Sequence, residues 1–207
     1  MLICSIHLGV IFDQHLTWDC HINHVNSKVS RNIGIMHRMK SFVPLRILFM
    51  LYNAFILPHI MYCSTVWAIN YPSKLSKLYR LQKKALRICS NVDFLAPSKP
   101  LFYNHHTLSI FDISKLKIGL VMHRYFSNTL PPYLMEMFSL NHNVHNYNTR
   151  SKPLFHQWKV TTHSLSKSIR HVGPTIWNSL PSSLRNTQFT NSFKRKFKLS
   201  LLSQYNL

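Results

Sequence analysis

The chain has 207 residues, with 25 Lys and Arg against 5 Asp and Glu, a formal net charge of +20 before any of its 14 His is counted. Such a field attracts polyanions, so nucleic acid is the leading partner and an anionic membrane surface the second, while five scattered acids are poor material for the carboxylate clusters that hold catalytic metal ions. Only 4 glycines argue against a loop-rich β architecture or a phosphate-cradling glycine loop, and 46% apolar content is enough for a packed core.

From the amino terminus, His7-Leu8-Gly9-Val10-Ile11-Phe12 is an apolar, β-branched run that reads as a buried or half-buried strand with no partner strand before it, and Asp13-Gln14-His15 reads as a turn. Thr17 is placed to cap a helix with Asp19 in its first turn, and Ile22, Val25, Val29, Ile33 and Met36 recur at spacings of three and four, which is one helical face. Pro44 suits a first helical position, and Leu45 to Leu57 is apolar nearly all round, which predicts a central core helix that Pro58 kinks or splits. At roughly a dozen residues this stretch is too short to cross a bilayer, so no transmembrane segment is expected.

From Ser73, an amphipathic helix carries Leu75, Leu78, Leu81, Ala85, Ile88 and Cys89 on one face. On the opposite arc Lys77, Arg80, Lys84 and Arg87, with Lys83 beside them, form a continuous stripe, and no Asp or Glu occurs between Ser73 and Ser90. A solvated face tends to intersperse both signs to relieve repulsion, so an acid-free stripe suits phosphate contact.

Asn91 to His106, with Pro97 and Pro100, reads as a loop or linker. Thr107 is placed to cap a helix through Ile110, Ile113, Leu116, Leu120 and Tyr125, which Asn128 to Pro132 ends. Asn141 to Lys152, rich in Asn and His, reads as a mobile linker. Val160-Thr161-Thr162 reads as a short strand, Pro174 starts a helical turn bearing Ile176 and Trp177, and Phe193, Phe197, Leu201 and Leu202 mark the apolar side of a last helix with Lys194, Arg195, Lys196 and Lys198.

Cys4, Cys20, Cys63 and Cys89 are widely spaced without a CxxC pair, which predicts buried free thiols and a reducing, intracellular compartment, nucleus or cytoplasm. Cys20, His21 and His24 fall within about one helical turn, but no further ligand pair completes a zinc site, so neither a metal nor a cofactor is expected. His105-His106 reads as loop surface. The acids Asp13, Asp19, Asp93, Asp112 and Glu136 lie in no nucleophile elbow, and no catalytic residue is assigned. Trp18, Trp67, Trp158 and Trp177 adjoin apolar runs and read as core residues rather than base-stacking ones.

Leu8-Gly9-Val10, Asp13, Leu16, Trp18, His21-Ile22, Lys28, Arg31, Gly34, Arg38, Leu51-Tyr52, Pro58-His59, Tyr62, Val66-Trp67 and Gln82-Lys83-Lys84-Ala85 form an ordered series. A second one is Leu130-Pro131-Pro132-Tyr133-Leu134, Asn148-Thr149-Arg150, Gly173-Pro174, Ile176 to Pro181, Arg185 and Ser192-Phe193-Lys194. The first resembles the segment that follows the catalytic palm in reverse transcriptases of LINE-type, jockey-like non-LTR retrotransposons, and the second resembles the carboxyl-terminal end of the same proteins. The family's polymerase chemistry depends on palm aspartates that include an Asp-Asp pair, and no adjacent acidic pair occurs here. The resemblance therefore implies a fragment that begins after the active site and is inactive alone.

The expected fold is mainly α. A remnant palm strand spans 1–16, a thumb-like helical module 17–91, a connecting helical region 92–143, and a small carboxyl-terminal α(+β) module 144–207. The resemblance implies that the thumb-like module grips the backbone of an RNA or DNA template-primer, with Leu8, Gly9 and Val10 primer-grip-like. Lys28, Arg31 and Arg38, together with Lys77, Arg80, Lys83, Lys84 and Arg87, are the candidate phosphate contacts. Self-association through an exposed apolar strand edge is also expected. The alternative, from another class, is a helical protein-interaction or assembly module.

Overall fold

A computed structural model describes residues 4–144 and 154–206, apart from the side chain of His163. The chain opens with a hairpin in which β1 (Cys4–His7) pairs antiparallel with β2 (Val10–Asp13), His7 facing Val10. That register leaves Leu8 and Gly9 as a two-residue turn, and both have positive φ, 48° and 78°, as the tightest hairpin turns require. The expectation of one strand over His7–Phe12 without a preceding partner is thus corrected. An apolar Leu at the turn hid the reversal, and its left-handed backbone is held by the Tyr62 hydroxyl, which donates to the Leu8 carbonyl at 2.5 Å.

Asp13 ends the hairpin and starts the first helix. Its buried carboxylate accepts the backbone N–H groups of Thr17 at 2.9 Å, Trp18 at 2.7 Å and His15 at 3.2 Å. Burial opposes ionisation there, but these donors outweigh it and hold the carboxyl below its ordinary value. Helix α1 (Asp19–Met39) accordingly has Trp18, left-handed at φ 66°, as its N-cap. Thr17, expected in that place, only accepts the Asp19 N–H at 3.4 Å. Ile22, Val25, Val29, Ile33 and Met36 are buried, as their spacing predicts.

Helix α2 (Leu45–Leu51) runs through a π-helical turn (Tyr52–Ile56) into α3 (Leu57–Met61). Pro58 has no N–H to give, and the wider turn before it absorbs that loss. The Phe55 carbonyl accepts the Asn32 side-chain amide at 2.6 Å. Leu48, Tyr52, Ile56 and Ile60 are fully buried. The expectation of an all-round core helix is corrected, because Leu45, Met50 and Phe55 are exposed, Met50 at 56%.

After α4 (Ser64–Trp67) comes α5 (Pro72–Ser90), which packs along α1 and is tied to it by the Lys74–Asp19 ion pair at 2.6 Å. Its buried side is Leu75, Leu78, Gln82, Ala85, Leu86, Ile88 and Cys89. Leu81 is only half-buried, and Gln82 and Leu86 join the face instead. The expected loop over Asn91–His106 contains α6 (Lys99–Asn104), whose Pro100 sits in the first turn, where no N–H is needed. Helix α7 (Ile110–Phe126) is capped by Ser109 rather than Thr107: the Ser109 hydroxyl accepts the Asp112 N–H at 3.3 Å and donates to the Asp112 carboxylate at 2.6 Å.

Short helices α8 (Pro132–Met135) and α9 (Asn141–Val144) follow. The rest of the expected linker, with Asn148, Thr149 and Arg150, lies outside the described residues. Val160–Thr162 is not a strand; Thr162 caps α10 (His163–Ser166), its hydroxyl accepting the Leu165 N–H at 3.4 Å. Helix α11 (Ile169–Ser179) contains Pro174 in its interior instead of starting there, and α12 (Ser182–Arg185) and α13 (Thr190–Ser203) complete the chain. The fold is mainly helical.

Two compact units divide the chain. The first is Met1–Ser114 with Leu201–Leu207, so the tail expected in the carboxyl-terminal module returns to the first unit. There the Tyr205 hydroxyl accepts the Ser109 N–H at 3.0 Å and donates to the Asp112 carboxylate. The second unit, Lys115–Ser200, is built on an aromatic core of Phe138, Phe155, Trp177, Phe193 and Phe197. Of the four tryptophans, Trp67 and Trp177 are buried, Trp18 is half-buried and Trp158 is exposed.

Candidate nucleic-acid interface

On α1, Lys28, Arg31 and Arg38 are exposed; Arg31 and Arg38 lie opposite the buried Val25, Val29 and Met36, and Lys28 lies at the flank, one turn from Val25. On α5, Lys77, Arg80 and Lys84 are exposed on the side opposite Leu78, Gln82 and Ala85. Helices α1 and α5 pack against each other, and the expected cations lie on two helix faces, one on each. Two members of the α5 set have local partners: Arg87 Nε donates to the Ala96 carbonyl at 2.9 Å with its guanidinium near the Phe94 ring, and Lys83 sits 4.6 Å from the centre of the Tyr79 ring. That leaves Lys77, Arg80 and Lys84 as the open part of the stripe.

The α1 face adjoins a cavity of about 290 Å³, lined by Leu8, Gly9, His21, His24, Val25, Lys28, His59 and Tyr62. The hairpin turn supplies one wall, the first turns of α1 the second, and α3 with Tyr62 the third. Leu8 is 91% exposed at the rim, whereas Val10 is buried below it. Of the primer-grip-like trio, then, Leu8 and Gly9 join Lys28 at the cavity and Val10 does not.

Apart from the Tyr62 phenol, the ionisable groups in that lining, His21, His24, Lys28 and His59, are basic. His21 is buried; its Nδ1 accepts the Ile11 N–H at 3.3 Å and its ring meets Trp67 edge-on at 5.2 Å between centres. Burial above all, then the nearby charges of His24 and Lys28, pushes His21 down to about 4. Burial, followed by Lys28 and His24, also lowers His59. Among the described residues no carboxylate lines the cavity, so a bound anion would be the natural counter-charge for Lys28 and would favour protonation of the imidazoles. His24 was legible as an i,i+4 partner of Lys28 on one helix face. His59 and Tyr62 come from a distant element and carried no local signal of this role.

In the second unit, Trp158, Lys159, Arg170 and His171 help to line a cleft of about 220 Å³. Lys194, Arg195 and Lys196 on α13 are exposed, while Lys198 is half-buried and lowered by that burial and by Lys194. Among the described residues, no three His, Cys, Asp or Glu side chains are grouped to hold a metal ion, and no helix is long and apolar enough to cross a membrane. His105 is not simple loop surface: its Nε2 and the Ser90 hydroxyl share a hydrogen bond at 2.7 Å, and its ring stacks on Phe49 at 4.7 Å. No family model, curated protein or solved structure matches the chain.

Proposed function

We propose that the chain grips the sugar-phosphate backbone of a template-primer, as the template-binding portion of a LINE-type RNA-directed DNA polymerase, and that it performs no polymerase chemistry alone. The observation that carries this reading is the cavity, free of carboxylates among the described residues, where the Leu8-Gly9 turn meets Lys28, His24 and His59, with Arg31 and Arg38 continuing the same helix face. Contacts of this kind are electrostatic and largely blind to sequence. Binding of a labelled RNA–DNA hybrid at increasing salt tests it. Three phosphate contacts from Lys28, Arg31 and Arg38 give a slope of log K on log salt of about −2.7, steeper if other cations join. An affinity that does not respond to salt overturns the reading.

A second reading, an assembly module, is favoured by one observation: Leu45, Met50 and Phe55 are exposed on α2 and the π-helical turn that follows it, and Phe42 just before them is 85% exposed. Apolar docking persists in high salt, where phosphate contacts fail. Sedimentation of the wild-type chain and of Leu45→Glu/Met50→Glu at high salt separates the two. Association lost only in the variant supports assembly, and a monomer in both removes it.

A further inference from the structure

We propose that Cys4 and Cys20 form a reversible disulfide that latches the β1–β2 hairpin onto the first turn of α1. The two residues are 16 positions apart in the chain, yet their Sγ atoms lie 2.6 Å apart, which is only roughly 0.6 Å beyond an S–S bond of about 2.04 Å. Neither is sealed: Cys4 is exposed on β1 and Cys20 is half-buried, so a small disulfide reagent reaches the pair. Cys89, in contrast, is buried with its thiol directed at the Leu48 carbonyl. All four thiols are free, as the sequence predicts, but only Cys89 is also buried.

The position of the pair gives the bond a purpose. All four residues of β1 are exposed, so the outer strand is anchored by few apolar contacts. A covalent link from β1 to α1 would close the loop that contains the hairpin turn and would fix the Leu8-Gly9 wall of the basic cavity.

With oxidised glutathione as the oxidant, one thiolate of the pair attacks a glutathione sulfur, a mixed disulfide forms, and a glutathione thiolate leaves. The neighbouring thiolate then attacks the protein-borne sulfur of that mixed disulfide, the second glutathione thiolate leaves, and the Cys4–Cys20 bond is made. Two electrons pass to the glutathione disulfide, and the two thiol protons end on two glutathione thiols. In the reduced chain the hydrogen bond with Cys20, then burial and the charges of Cys20 and Asp13, pushes the Cys4 thiol up to about 11. Cys4 therefore reacts through a small thiolate fraction, so its exchange with the glutathione disulfide quickens as pH rises.

The first Lys or Arg in the sequence is Lys28, so one tryptic peptide carries both cysteines and neither of the others. The full chain is treated with oxidised glutathione, its remaining thiols are alkylated, and the peptide is weighed. The expected result is a peptide that has lost two hydrogens and takes no alkyl group, with slower amide exchange in β1 and β2 that dithiothreitol reverses. Cys4→Ser, a change at an exposed position, should show neither effect. Two alkyl groups on the peptide, glutathione retained on either cysteine, or a cross-link to the peptide that holds Cys63 would each overturn the proposal.

Discussion

Gln82 donates its side-chain amide to the Tyr52 hydroxyl at 3.0 Å, and both residues are fully buried. The same amide nitrogen donates to the Leu108 carbonyl at 2.9 Å, while the Gln82 oxygen accepts the Ile110 N–H at 3.0 Å. One side chain of α5 thereby satisfies the π-helical turn and the backbone that leads into α7. Replacement by Leu fills the space but orphans three polar groups, so Gln82→Leu should cost about 2–4 kcal/mol in denaturant unfolding and Tyr52→Phe about 1 kcal/mol. Equal losses would mean that Gln82 contributes volume rather than hydrogen bonds.

Two helical glycines should respond oppositely to the same change. A Cβ at Gly34 meets nothing within 4 Å, so Gly34→Ala should stabilise by about 0.5–1 kcal/mol. A Cβ at Gly119 would lie 2.6 Å from the ring of buried Phe197, so Gly119→Ala should destabilise by about 1–3 kcal/mol. Thermal unfolding of the two variants beside the wild type reads both signs.

The neutral His21 makes stability depend on acid. In the unfolded chain its imidazole takes a proton near the ordinary value of 6.5, whereas in the folded chain it does so only near 4. Between these values the unfolded state binds more protons, so stability is full above about 6.5 and is lost as pH falls toward about 4. Asp13, whose folded carboxyl is held below its ordinary 3.8, adds a further loss below that value. Denaturation midpoints taken across the upper window should fall in the wild type and stay flatter in His21→Asn. Parallel curves would acquit His21.

Reversing three charges on each of three helices distinguishes a site from bulk charge. Lys28→Glu/Arg31→Glu/Arg38→Glu should weaken hybrid binding most and flatten the salt slope by about 2.7. Lys77→Glu/Arg80→Glu/Lys84→Glu and Lys194→Glu/Arg195→Glu/Lys196→Glu remove the same charge elsewhere, all from exposed positions. Equal losses in the three variants would leave net charge as the cause and take the cavity out of consideration.

The sequence by itself determined the elements whose apolar residues are sparse enough to point. Ile22, Val25, Val29, Ile33 and Met36 on α1, most of the expected face of α5, and Phe193, Phe197, Leu201 and Leu202 on α13 are buried as their period requires. In such helices polar residues mark the outside, so direction is local information. Over Leu45–Leu57 nearly every position is apolar, and nothing local says which ones face inward; packing against α1 and α5 decides for Leu48, Tyr52 and Ile56 and leaves Met50 and Phe55 outside. The turn at Leu8-Gly9 was concealed for a related reason, since a Leu with positive φ looks like one more strand residue until its carbonyl is seen held by Tyr62. Charge and its sign were legible throughout, because they depend on composition alone. The meeting of Leu8, Lys28 and His59 around one cavity, and of Cys4 with Cys20, was not. Residues so far apart in the chain become neighbours only when the hairpin, α1 and α3 pack, and no local pattern encodes that proximity.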